Sequence, residues 1–166
     1  MYMKYVWLLL CSLMVVCGQL HAQEKLRSAV EQLKDAFAME KLRSASLFDG
    51  RYNNREGAVE VLVKGKKLTP YHLTLFRSLT LQADPDEIAE ISALVESDAK
   101  HAAEKETGSI GGKLYYGFFC FPGNGKEPNQ YLFFRNASLR NPDYPEVIVI
   151  YMEGAATLEE LKQMFE

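Results

Sequence analysis

Cysteine, histidine and tryptophan are scarce in this chain of 166 residues, which holds three, three and one of them. Cys11 and Cys17 sit in the N-terminal apolar stretch and only Cys120 lies beyond it. A lone thiol builds no disulfide framework, so stability has to come from a packed core. Positive charge is also in short supply. With 19 Lys+Arg against 22 Asp+Glu the net charge is −3, and a chain without a basic face has no footprint for nucleic acid. The apolar run from Val6 to Val16 is well short of the roughly 20 residues that cross a bilayer, which argues against a transmembrane anchor. A phosphate-binding loop is missing too: around GSIGGK, Thr107 stands where the pattern needs its first glycine and Leu114 where it needs Ser or Thr. This stretch reads instead as a flexible connection from a helix into a strand. No cofactor motif is present, and no linker or low-complexity tract divides the chain.

What is present begins with MYMKYVWLLLCSLMVVCGQLHAQEK, in which one cation, Lys4, precedes the apolar run and smaller, more polar residues follow it. That is the layout of a secretory signal peptide. A cut after Ala22 makes residues 1–22 the signal and 23–166 the mature domain, and VVCG (Val15 to Gly18) offers an earlier cut. Cleavage after Ala22 removes 22 residues, one cation and no carboxylate, leaving 144 residues with 18 Lys+Arg against 22 Asp+Glu, a charge of −4. The rival reading is a lipoprotein acylated on Cys17, but Val16 occupies the place where such signals put a small residue.

In the first mature segment Leu26, Val30, Leu33 and Phe37 recur at helical spacing, an amphipathic helix. EKLRSA occurs at Glu24 to Ala29 and again at Glu40 to Ala45. Their 16-residue offset is about 160° of helical rotation, so a bend is expected near Met39. AVEVLVK alternates Val59, Val61 and Val63 against Glu60 and Lys64, the period of a half-buried strand with its valines inward. Thr69 and Pro70 suggest the start of a short helix, with a strand near Leu79 to Leu81. Asp84, Pro85 and Glu87 form a capping box and first turn, and Ile88, Ile91, Leu94 and Val95 make the buried stripe of a helix that runs toward Gly108. Three apolar runs then follow, KLYYGFFCF, QYLFFRNA and EVIVIYM, separated by turn-forming segments. Thr157 and Glu160 cap a closing helix. The expected fold class is α+β: a mainly antiparallel sheet with a C-terminal three-stranded meander, packed by N-terminal, central and C-terminal helices.

The meander carries the most suggestive chemistry. Its first strand shows Leu114, Tyr116, Phe118 and Cys120 on one face and Tyr115, Phe119 and Phe121 on the other; its last strand is apolar on both faces. A sheet with one wet side would alternate cleanly, so both faces need cover. Where the helices fall short, the remainder is a partner interface or ligand groove. Tyr115, Phe119, Phe121, Tyr131 and Phe133 are the candidate binding residues, suited to stacking a sugar, a lipid chain or a partner's side chains. An envelope protein, a glycan, a lipid or a second copy of the chain are the partners considered. Replacing Phe119 and Tyr131 together is expected to weaken binding and spare the fold.

Catalytic candidates are thin. Cys120 stands between Phe119 and Phe121, a setting that favours an inert thiol. Asp98, His101 and Glu104 recur at three-residue steps on an expected helix, a partial metal site or, more commonly, a solvated charged face. They and Cys120 carry one alternative reading, a small hydrolase or metal-dependent enzyme; the other is a structural homodimer with the aromatic face as its self-complementary interface. Lys64, Lys66 and Lys67 with Arg51 and Arg55 form a small basic cluster, and Asn136-Ala137-Ser138 fits a glycosylation acceptor.

The signal ending in HAQ and the ending VIVIYMEGAATLEELKQMF resemble small exported proteins of Gram-negative gut anaerobes classed as domains of unknown function. The resemblance implies a periplasmic or outer-surface destination and supplies no catalytic residue. The reading favoured is an exported, non-enzymatic binding module of the cell envelope.

Overall fold

The computed structural model describes residues 42–52 and 54–165. The signal-like segment, Cys17, the helix expected over Leu26 to Phe37 and the bend near Met39 lie outside the described residues.

The fold is α+β, a six-stranded antiparallel sheet with a few helices. The strands are β1 (Ala58–Lys64), β2 (Leu73–Gln82), β3 (Glu104–Ile110), β4 (Lys113–Phe121), β5 (Asn129–Asn136) and β6 (Glu146–Gly154); the α-helices are α1 (Pro85–Ala99) and α2 (Leu158–Gln163). Short 3-10 helices cover Arg43–Phe48, Lys66–Tyr71 and Ala137–Leu139. The sheet order is β1-β2-β6-β5-β4-β3. Strands β4, β5 and β6 are the expected meander, and β6 slots in beside β2, so α1 and the β3–β4 hairpin together bridge from the middle of the sheet to its far side.

Local chemistry sets the helix starts. The Asp84 side chain accepts from the N–H groups of Asp86 and Glu87 at 3.0 and 2.9 Å, and Glu87 accepts from the Asp84 N–H at 3.1 Å. Thr157 and Glu160 repeat the arrangement on α2. Three backbone N–H groups are satisfied at the first site and two at the second.

Three expectations change. Helix α1 ends at Ala99, and the EKETGSI stretch that follows is strand β3, joined to β4 by Gly111 and Gly112 at φ 58° and 74°. Two successive positive-φ residues make the hairpin turn whose twist suits flanking strands, so GSIGGK is a hairpin and no loose connector. The short helix before β2 begins at Lys66, with Pro70 inside it, and strand β2 begins at Leu73, six residues earlier than Leu79. Pairing with β1 and β6 on its two sides holds this longer strand. Finally, the valine face of β1 is covered only at Val63: Val59 and Val61 are 61 % and 44 % exposed, while Glu60 is half-buried against Arg77. The alternation is real, but the face it marks is the less covered one.

One side of the sheet is closed. Leu79, Leu81, Phe119, Leu132, Phe134, Val147 and Val149 pack there against Leu47, Phe48 and Tyr52 of the N-terminal 3-10 region and Ile91 and Val95 of α1. The opposite side carries a smaller cluster, Leu68, Leu73, Cys120, Tyr131, Ile150, Met152, Ala156 and Leu161. No helix among the described residues is long and apolar enough to cross a membrane.

Candidate interaction surface

The strand registers organise the second face into three rows across the sheet. Val63, Phe76, Met152, Tyr131 and Cys120 align in one; Val61, Ser78, Ile150, Phe133 and Phe118 in the next; Val59, Thr80, Ile148, Arg135 and Tyr116 in the third. Cover fades from the first to the last. Met152, Tyr131 and Cys120 are buried, Ile150 and Phe118 are buried beside a half-buried Phe133, and in the last row Ile148, Thr80 and Tyr116 are half-buried while Val59 and Arg135 are exposed.

Among the described residues, the cause is the size of the lid. Helix α2 has six residues and reaches only one end of this face, with Leu161 fully buried and Lys162 bonded to Glu106 of β3 at 2.7 Å. The strand-helix junction beneath it is tight. Tyr131 donates its hydroxyl hydrogen to the Ala156 carbonyl at 2.5 Å, and the Ala155 N–H donates to the His72 carbonyl at 2.8 Å. A Cβ on Gly154 would stand 2.2 Å from that His72 oxygen, so the crossing requires glycine.

Past α2, Phe165 stacks on Phe133 with ring centroids 5.3 Å apart and planes 10° off parallel, and Phe118 meets Phe133 at 4.6 Å. Phe165 is 37 % exposed. These rings, Ile148 and the outward valines form an apolar strip with the Ser78 and Thr80 hydroxyls and the Arg135 guanidinium along it. Such a strip can hold an apolar segment and offer a few polar handles.

The five sequence candidates do not form one surface. Phe119 and Phe121 pack on the helix-side core, whereas Tyr131 and Phe133 belong to the second face. Phe119 and Tyr131 are each 1 % exposed, so their joint replacement removes two core side chains and is expected to cost stability. Tyr115 sits at a bulge, because Gly108 pairs with Tyr116 and Ser109 with Leu114; its ring is buried, with the Arg140 guanidinium 4.5 Å above it. The same bulge puts Leu114 against the helix-side core, off the face of Tyr116 and Phe118 to which strict alternation assigned it. Of the five, Phe133 alone lies on the half-open strip. Phe118, Ile148 and Phe165 were missed, and the MF ending of the closing helix was the available signal for the last of them.

The chemical candidates are occupied by structure. Asp98 is 5 % exposed and accepts from the Arg43 and Ser44 N–H groups at 3.0 and 2.8 Å and from the Ser44 hydroxyl at 2.7 Å. It fastens α1 to the N-terminal 3-10 helix and closes that helix's open donors. His101 lies just past α1 and Glu104 opens β3, so the three-residue helical steps do not persist. Among the described residues no group of three His, Cys, Asp or Glu is arranged to hold a metal ion. Burial, with Glu104 opposite, pushes the Cys120 thiol above its ordinary range, the wrong direction for a nucleophile. Arg51 and Arg55 pair with Glu90 and Glu87 of α1 and do not join Lys64, Lys66 and Lys67 as free cations. Asn136 is buried, its side-chain oxygen accepting from the Ser138 N–H and hydroxyl at 3.1 and 2.5 Å, a poor glycan acceptor.

Fold and surface thus define an α+β domain whose antiparallel sheet, among the described residues, is closed on one face and half-open on the other. The chain belongs to a family of unknown function, DUF6108, whose model matches residues 33–165. No curated protein and no solved structure matches it.

Proposed function

We propose that this protein is an exported, non-catalytic interaction module of the cell envelope. Its working surface is the half-open strip around Phe133, Phe165 and Ile148, and its partner is an apolar segment of an envelope protein, a lipid or a glycan. The observation that carries the reading is the fading cover of the second sheet face, since contiguous apolar patches are uncommon on monomers and mark binding sites. The spent Asp98 carboxylate and the raised Cys120 thiol support it against a hydrolase. Export rests on the signal-like residues 1–22, and the destination is the periplasm or the outer surface.

Native mass spectrometry of the protein purified without denaturation from its own host tests this. A retained adduct, released when Phe133 and Phe165 are both changed to Ala in a chain that still melts cooperatively, is the expected result. Adduct retention unchanged by that double substitution moves the site elsewhere. The same spectrum reads the N-terminus: a chain starting at Gln23 fits the signal cut, and an acylated Cys17 replaces it with a lipoprotein.

A further inference from the structure

Seven large hydrophobic side chains stand exposed among the described residues, and four of them, Val59, Val61, Leu62 and Tyr71, belong to β1 and the 3-10 helix that follows it. Leu62 is 52 % exposed and Tyr71 50 %. The same stretch, VLVKGKKLTPY, carries Lys64, Lys66 and Lys67 and no carboxylate, in a chain whose net charge is −3. All three lysines are exposed, and none is in an ion pair among the described residues.

The fold holds these groups at one corner of the sheet. Strand β1 is an outer strand, so Val61 and Leu62, on its opposite faces, both border the sheet's edge. Past Lys64 the chain turns at Gly65, with φ 80°, whose N–H donates to the Thr74 carbonyl at 3.2 Å, and Leu68 is buried in the second cluster, against which Val63 packs. From Val61 to His72 only Val63 and Leu68 are drawn inward; every other side chain stands in solvent. The adjoining carboxylates Glu60 and Glu160 are engaged with Arg77 and His72.

We infer that this corner docks on the surface of an anionic lipid bilayer. Aliphatic and aromatic side chains enter the headgroup boundary, while lysine stems lie along it and set their ammonium groups on lipid phosphates. Each lysine near an anionic surface adds an attraction that fades within a Debye length. A soluble acidic polymer would use the lysines alone and would give no reason to hold Leu62 and Tyr71 out beside them. The contact is peripheral and salt-sensitive, because it combines shallow apolar insertion with screened charge. It rests on Leu62, Tyr71 and the three lysines, none of them in the Phe133 strip, and so stands independently of the proposed binding role.

The test is flotation of the protein, as its host makes it, with vesicles of phosphatidylglycerol and phosphatidylcholine in even mixture, beside vesicles of phosphatidylcholine alone and soluble heparin. The expected result is preferential binding to the anionic vesicles. It should weaken at least about tenfold when Lys64, Lys66 and Lys67 are all changed to Gln, and about threefold or more when Leu62→Ser is combined with Tyr71→Ser. All five positions are exposed, so both variants should melt as the parent chain does. Phe133→Ala with Phe165→Ala should leave vesicle binding unchanged, which separates this surface from the strip. Equal binding to the neutral vesicles overturns the inference, as does anionic binding that survives the lysine substitutions. Heparin binding without vesicle binding, or vesicle binding indifferent to Leu62→Ser and Tyr71→Ser, puts a soluble polyanion in place of the bilayer and overturns it as well.

Discussion

The two faces of this sheet are built from the same six strands and are almost equally apolar, yet one is a finished core and the other is a gradient. On the first, the fifteen-residue helix α1 and the Arg43–Phe48 segment lie across the strands and leave Leu79, Leu81, Phe134, Val147 and Val149 with no measurable exposure. On the second, six-residue α2 seals Met152 and Tyr131 but stops short of Ile148 and Val59. Apolar character does not tell which surface is interior. The length and placement of the covering element do, because burial is what converts apolar area into stability.

Breaking the closed face should cost most. Phe119→Ala is expected to destabilise by about 3–5 kcal/mol, the usual range for a fully buried phenylalanine, read from chemical denaturation. If it proved nearly neutral, the helix-side core would be less complete than its burial shows. Next comes the clasp beneath that face. Asp98→Ala leaves the Arg43 and Ser44 N–H groups without their acceptor and should cost about 1–3 kcal/mol, with hydrogen exchange rising first in residues 43–48.

The second face can be graded within itself. Met152→Ala, in the sealed row, should cost about 2–4 kcal/mol, whereas Ile148→Ala, two rows away, should cost under about 1.5 kcal/mol. Equal losses would mean that something covers the open end in solution. The smallest effect is at the surface of α1. The Arg55 hydrogen bond holds the Glu87 carboxyl below the ordinary carboxylate range. A carboxylate with a lowered folded pKa stabilises fully above its unfolded value of about 4.3 and loses that contribution as pH falls through the lower folded value. Glu87→Gln keeps a capping acceptor and should flatten the fall in stability between about pH 5 and pH 3 by a few tenths of a kcal/mol, as expected for a partly exposed pair.

Much of the fold is legible because it is local. Capping boxes need only side chains three residues apart, and Asp84 with Glu87 and Thr157 with Glu160 mark both α-helices at the right residue. The apolar runs of β4, β5 and β6 likewise announce strands. Strand β3 was not legible: Glu104 to Thr107 lacks the period of a half-buried strand, and only pairing with β4 makes it one. The site was less legible still. Tyr115, Phe119, Phe121, Tyr131 and Phe133 look alike in sequence, and a bulge at Tyr115 together with alternation across β4 and β5 sends them to different places.

The sequence by itself determined local chemistry in this protein: where the two α-helices start and how apolar the three meander strands are. Only the tertiary structure decided that Asp98 is a clasp, that Val59 and Val61 of β1 stand exposed, and that Phe133 rather than Phe119 borders solvent. Local signals act through neighbours a few residues apart, whereas exposure is set by elements distant in the chain, and no residue pattern states how far a six-residue helix will reach.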